Sequence, residues 1–136
     1  MLYNLFMNLK ESLLKNDYSI VASNGYFSFE TGIRPILLAM KDDISFFEGT
    51  AVADKIIGKA SAMLLTLSGV KEVYTPVLSK AGRQIFEKYG VKYAYDELAE
   101  YIINRKGDGM CPMEMTVKDI NDLNEAYDAL RRKLAL

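Results

Sequence analysis

The stretch from Gly49 to Gly69 constrains the fold more than any other part of this chain. Its spacing predicts a helix capped by Thr50, closed at Ser68-Gly69 and apolar on nearly every side. A helix of that kind belongs in the middle of a fold, with other elements packed on more than one of its faces. Asp54, Lys55, Gly58 and Lys59 interrupt it, and each is costly in such a setting. The remaining chain must therefore supply a sheet to cover the helix and loops to meet its polar end.

With 136 residues the chain makes one domain, 1–136, long enough to bury a core without disulfides or a structural metal. Half of the residues are hydrophobic and the net charge is -1, which removes the basic footprint that nucleic acid binding requires. Its single cysteine, Cys111, leaves no internal disulfide framework and fits a reducing cytoplasm. A charged leader with a small-residue cleavage site is not expected, and the apolar run around Ile56 to Leu67 is broken by Lys59 and falls short of the roughly 20 residues that cross a bilayer. The chain contains no histidine. With one thiol and no imidazole it is not expected to hold zinc or another cofactor, and neither Ser-His-Asp nor Cys-His catalysis can be assembled.

Leu2, Leu5, Phe6, Leu9 and Leu13 repeat at helical spacing over residues 2–15. Tyr18 to Ser23 and Tyr26 to Glu30 read as antiparallel strands joined at Asn24-Gly25, a strong hairpin signal. Thr31 is placed to cap a short helix with an early Pro35, and Ile44 to Phe47 reads equally as a strand fragment or a packed loop. After the central helix, Val70 to Pro76 is a strand, Ser79 to Tyr89 a helix closed by Gly90, and Val91 to Tyr95 a strand. This alternation implies parallel strands with crossover helices. Glu97 to Asn104 reads as a further helix, 105–110 as a glycine-rich loop, and Thr116 opens a last helix, 116–133, whose stripe runs from Val117 to Leu134. The fold class that follows is α/β, a three-layer α-β-α sandwich around a mixed sheet.

Ala53-Asp-Lys-Ile-Ile-Gly-Lys-Ala60, Gly69-Val-Lys-Glu-Val-Tyr74, Tyr101-Ile-Ile-Asn-Arg105 and Gly109-Met-Cys-Pro-Met-Glu114 resemble an uncharacterised bacterial and archaeal family of domains of unknown function with a cytidine deaminase-like fold. The resemblance covers roughly residues 5–115 and leaves the C-terminal helix as an addition. It implies the deaminase-like layout without the deaminase chemistry. Zinc deaminases carry a His or Cys with a glutamate at the start of the central helix, and a Pro-Cys-x-x-Cys pair at the start of the next. Here those places read Ala53-Asp54-Lys55 and Thr75-Pro-Val-Leu-Ser79, so zinc-dependent deamination is not expected.

Lys55 and Lys59 lie one turn apart on the expected helix and repel by a few tenths of a kcal/mol unless something anionic sits near them. Gly49 and Thr50 would offer free backbone N–H groups beside them, a natural anion site. The competing structural reading has Asp54 and another carboxylate neutralising the lysines. Gly58 points to close packing rather than ligand contact, and Gly58-Lys59 lacks the context of a phosphate-binding loop. Cys111, ahead of Pro112 and Glu114, is placed at a helix start where a thiol is activated, with Lys59 and Asp54 as its charged helpers. Its alternative is a small buried residue. Arg105, Asp108 and Gly109 sit in the glycine-rich loop, and Arg34 is a candidate anion clamp. Two functions result: a protein that takes a nucleotide-like or other small anionic metabolite, with Cys111-dependent chemistry open to it, or a non-catalytic regulatory or homo-oligomeric module. The aromatic and methionine content fits the homo-oligomer.

Overall fold

The computed structural model describes residues 2–136, with side chains from Asn8 onward. Elements follow in the order α1 (Leu2–Lys15), β1 (Ile20–Ala22), β2 (Phe27–Ser28), α2 (Arg34–Met40), β3 (Ala51–Asp54), β4 (Ile56–Ile57), α3 (Lys59–Leu67), β5 (Glu72–Ser79), α4 (Lys80–Tyr89), β6 (Lys92–Ala99), α5 (Pro112–Val117) and α6 (Leu123–Leu134). The sheet is mixed, as expected. β1 runs antiparallel to β2 and β3, whereas β3, β4 and β6 all run parallel to β5.

The expected helix over 49–69 is corrected in its first half. Ala51-Val-Ala-Asp54 is a strand buried on both faces, Ile56-Ile57 a second short strand, and the central helix starts at Lys59. A strand covered on both sides carries apolar residues continuously, which is also how a fully buried helix reads. Here strand and helix run together with no turn signal to separate them. β3 and β4 keep one register against β5, with Ala51 opposite Glu72 and Ile56 opposite Val77. They form one strand line, broken where Asp54-Lys55 would face Thr75-Pro76. Pro76 has no N–H to give to a ladder, and β6 also skips its pairing there, between Tyr95 and Glu97.

The hairpin at Asn24-Gly25 forms with a three-residue loop, since Gly25 N–H donates to the Ala22 carbonyl and Ala22 N–H to the Tyr26 carbonyl. Only Gly25 takes positive φ, at 95°. The helix expected after Thr31 starts at Arg34 with Ile33 as cap, and Thr31 caps nothing. Ile44 to Phe47 is a packed turn, with Phe47 fully buried. Glu97 to Ala99 extends β6 because β5 still pairs with it there, so the helix expected over 97–104 is absent. The final helix is divided: Val117 belongs to α5, and α6 is capped by Asp122, whose carboxylate accepts from Glu125 N–H.

Three layers result. On one face α1 seats Leu9 and Leu13 against Val21, Ala51, Ala53 and Tyr74. The side chains of Leu2, Leu5 and Phe6 lie outside the described residues. On the other face α2, α3, α4 and α6 pack over Ile20, Val52, Ile57, Val73 and Leu78, with Met63, Leu64 and Leu65 of α3 at the centre. Both α3 and α4 begin at the carboxyl ends of the parallel strands, where open α/β sheets place their sites.

Because Ile56 is 51% exposed while Leu64 is fully buried, truncation separates this arrangement from a continuous helix. Leu64→Ala is expected to cost about 2–5 kcal/mol in urea denaturation. Ile56→Ala is expected to cost about 1 kcal/mol or less.

Candidate functional site

The first N–H groups of a helix have no partner within it. In α3 they are met by the chain's own carboxylate: Glu114 Oε1 accepts from Lys59 N–H at 2.6 Å and Oε2 from Ala60 N–H at 2.8 Å. Gly58, the cap residue, is extended rather than left-handed, so its need for glycine is steric. A Cβ there would lie 2.1 Å from Glu114 Oε1 and 2.7 Å from Ile102 Cγ1. Gly82 of α4 extends the same close packing, since its Cβ would lie 3.0 Å from the Gly58 carbonyl oxygen. Close packing was the expected role of Gly58. In the reverse direction Lys59 Nζ donates to the Lys118 carbonyl at 3.0 Å, at the C-terminus of α5. Burial pushes the Glu114 carboxyl above its ordinary range, against the opposing pull of the Ala60 and Lys59 amides and the Lys59 ammonium.

Beside this junction lies a cavity of about 370 Å³. α4 contributes Gln84, Ile85 and Lys88, the end of β5 contributes Ser79, and the segment after β6 contributes Tyr101 and Met110. Five charged groups border it: Lys59, Lys88, Lys118, Glu100 and Glu114. Glu100 pairs with Lys80, and Glu114 is engaged by two amides. Among the described residues no carboxylate pairs with Lys59, Lys88 or Lys118. Three ammonium groups without an ion pair thus border the cavity.

Asp54 is buried at the break between β3 and β4, where Ile56 N–H donates to its Oδ1 at 3.3 Å. With no cation to offset desolvation, burial pushes its carboxyl up to about 8, against the pull of the Ile56 and Lys55 amides. Thr75, fully buried at the same break, satisfies itself locally by donating to the Val77 carbonyl at 3.0 Å.

The other candidates are dispersed. Gly49 and Thr50 stand at the opposite end of the strand line, where Gly49 N–H donates to the Gly69 carbonyl and Thr50 N–H to the Phe47 carbonyl. No helix starts there, so the anion site expected of them is not built. Lys55 lies between strands and pairs with Asp17, so it shares no helix face with Lys59. Arg34 pairs with Glu30 at 3.2 Å. Arg105 donates to the Thr31 hydroxyl at 3.1 Å, while Asp108 Oδ1 and the Gly109 carbonyl accept from Asn104, which closes a hairpin on itself. Cys111 is half-buried and caps α5 without a side-chain bond. No hydrogen bond joins Cys111, Lys59 and Asp54 to one another among the described residues: Cys111 N–H donates to the Ile102 carbonyl, Lys59 Nζ to the Lys118 carbonyl, and Asp54 accepts from Ile56 N–H. Of all the expected site residues, Lys59 lines the cavity. Sequence reasoning missed Glu114, Lys88, Lys118 and Tyr101, for which the one available signal was the acid after Cys111-Pro112 at a helix start. Among the described residues no three His, Cys, Asp or Glu side chains gather closely enough to hold a metal ion. No helix among them is long and apolar enough to cross a membrane.

The model of the TM1506 family, a domain of unknown function (DUF1893), matches residues 8–134. α6 thus lies within the family's span rather than beyond it. The crystal structure of a DUF1893 family protein (TM1506) from Thermotoga maritima is similar to this chain at 28% identity and a TM-score of 0.89, over 96% of this chain and 90% of that one. No curated protein matches.

Gly58→Ala is expected to lower stability by about 1–3 kcal/mol through overpacking against Glu114. The Gly58→Ala and Glu114→Ala losses should sum to more than the loss in the double variant, measured by chemical denaturation. Asp54 sets a slope with pH. Unfolded, it ionises near pH 4, whereas folded it keeps its proton to about 8, so over that interval the native state binds more protons and stability falls as pH rises. Asp54→Asn is expected to flatten that slope, so that variant minus wild-type Tm is more positive at pH 8 than at pH 4.

Proposed function

This chain belongs to the TM1506 family, a domain of unknown function (DUF1893), and from that premise we propose that it binds a small anionic metabolite in the cavity at the carboxyl ends of β5 and β6. One observation carries the reading: three lysines border the cavity, while both of its carboxylates are engaged elsewhere. An anion entering there meets three ammonium groups that form no ion pair with a carboxylate among the described residues. Tyr101, 45% exposed, adds a flat ring beside them, which favours a nucleotide-like ligand with a planar group and a phosphate or carboxylate.

The sheet order and the two helices that start at one edge support a cytidine deaminase-like fold. In a zinc deaminase of that fold the helix starts would carry the metal's ligands. Here they are Gly58-Lys59-Ala60 and Ser79-Lys80-Ala81, which offer no imidazole or thiol to a metal. Metal-independent ligand binding in the cytoplasm is the reading these residues favour. Cys111 adjoins Met110 of the cavity wall and is the one thiol available for covalent chemistry.

A second reading, a homo-oligomeric or regulatory interaction module, is favoured by one patch. Tyr18, Phe27 and Phe29 cluster with ring centroids 4.7–6.0 Å apart, and Phe27 and Phe29 are 50% and 62% exposed.

Thermal shifts with nucleotides, nucleosides and small carboxylates test the first reading. A ligand at a hundred times its Kd adds about 2.7 kcal/mol, several degrees for a domain of this size. The shift is expected in wild type and lost in Lys88→Met, a substitution that leaves the Glu114 junction intact. A shift of equal size in both proteins would remove the cavity from consideration. No shift from any compound would favour the interaction module.

A further inference from the structure

One connected segment, 101–118, walls the cavity from outside, and it is largely bonded to itself. Cys111 N–H donates to the Ile102 carbonyl at 2.8 Å, Asn104 N–H to the Gly109 carbonyl at 2.8 Å, and Ile103 bridges to Met110. Met115 N–H returns to the Cys111 carbonyl at 3.1 Å. The segment's hydrogen bonds to the rest of the domain are few among the described residues. Arg105 reaches the Thr31 hydroxyl at 3.1 Å, the Val117 carbonyl accepts from Ile120 N–H at 3.0 Å where the chain leaves the segment, and the others converge on the first turn of α3, through Glu114 and through the Lys118 carbonyl.

This junction is reciprocal. α5 supplies the carboxylate that caps the N-terminus of α3, and α3 supplies the ammonium that caps the C-terminus of α5, each offsetting the other's partial charge. α5 has six residues, too few to be helical alone, so its form depends on this docking and on Val117, its fully buried anchor. Gly58 leaves the space into which the carboxylate fits.

We propose that segment 101–118 is a cover that opens as one unit over the cavity, with Glu114 on the first turn of α3 as its latch. Opening withdraws Tyr101, Met110 and Lys118 from the cavity wall together and frees the Lys59 ammonium from the Lys118 carbonyl. The consequence for ligand access rests on the cavity being a binding site, but the latch is tested with no ligand present.

The test is amide hydrogen exchange of the full chain, resolved residue by residue. In wild type the amides of Lys59 and Ala60, though they belong to the central helix, are expected to exchange in step with those of Asn104, Cys111 and Met115. All five should exchange well before Leu64 and Val73. Glu114→Gln turns one amide-accepting oxygen into a donor, and should speed exchange of this group by about ten- to a hundredfold while Leu64 and Val73 keep their rates. Lys59→Met should act in the same direction through the other half of the junction. Lys59 and Ala60 exchanging with Leu64, or Glu114→Gln accelerating every amide equally, would overturn the proposal. If Glu114→Gln does not fold, the wild-type pattern alone decides.

Discussion

A helix that starts inside a protein needs partners for its first amides, and much of this molecule is arranged around the partner that α3 finds. Two glutamate oxygens at 2.6 and 2.8 Å close the N-terminus of the most buried helix. For them to arrive, residue 58 must have no side chain, α4 must come close at Gly82, and the chain must return from β6 across the carboxyl edge of the sheet. An amide left without an acceptor in that position would cost about 1–3 kcal/mol, a large share of the stability of a small domain. The cavity is a by-product of the same requirement. The segment that delivers Glu114 has to arch over the ends of β5 and β6, and the space beneath the arch is what α4 does not fill.

The second constraint is the break in the sheet. Pro76 has no N–H to give to a ladder, and the pairing lapses on both sides of it: β6 skips the position opposite Pro76, and the β3–β4 line skips those opposite Thr75 and Pro76. The break reverses which side chains point to the helical layer, so Val52 and Ile57 both face it although they are an odd number of residues apart. It also leaves Asp54 buried without a cation, its carboxyl held largely protonated near neutral pH. The two halves of the strand line then act differently: β3 seats α1, while β4 hands the chain directly to α3.

What the sequence disclosed follows from how far apart cause and effect lie along the chain. The β1–β2 hairpin, α4 with its Ser79 cap and Gly90 stop, and the parallel β5 and β6 were legible because each is set by signals within a few residues. The stretch from Gly49 to Gly69 was misread because Ala51 to Ala53 are buried on both faces, and a strand of that kind shows no alternation. The error carried into the site. Once 49–69 was a single helix, its N-terminus fell at Thr50, and the lysines at 55 and 59 lined up on one face. In the structure the N-terminus lies at Gly58-Lys59, and its anion is Glu114, 55 residues beyond Lys59 along the chain. No local pattern announces a partner at that distance. The physical idea, that a helix start beside Lys59 demands a negative charge, was sound, but the position of the start and the source of the charge were not local properties.

That internal source changes how the cavity's charges should be counted. A simple tally of three lysines against two glutamates suggests near balance. Counted by engagement, Glu100 is matched by Lys80 and Glu114 by two amides and the start of a helix, so their fields fall off quickly outside their own partners. The ammonium groups of Lys59, Lys88 and Lys118 have no such carboxylate partner, and Lys59 gives a proton only to a neutral carbonyl. On the proposed reading, the surplus of ammonium groups without an ion pair around the cavity holds only while Glu114 stays on the α3 amides. Released, Glu114 would stand as a free carboxylate among the same lysines and supply the counter-charge that an anionic ligand otherwise brings. Capping of α3 and the proposed selection of an anion by the cavity would thus both rest on one contact.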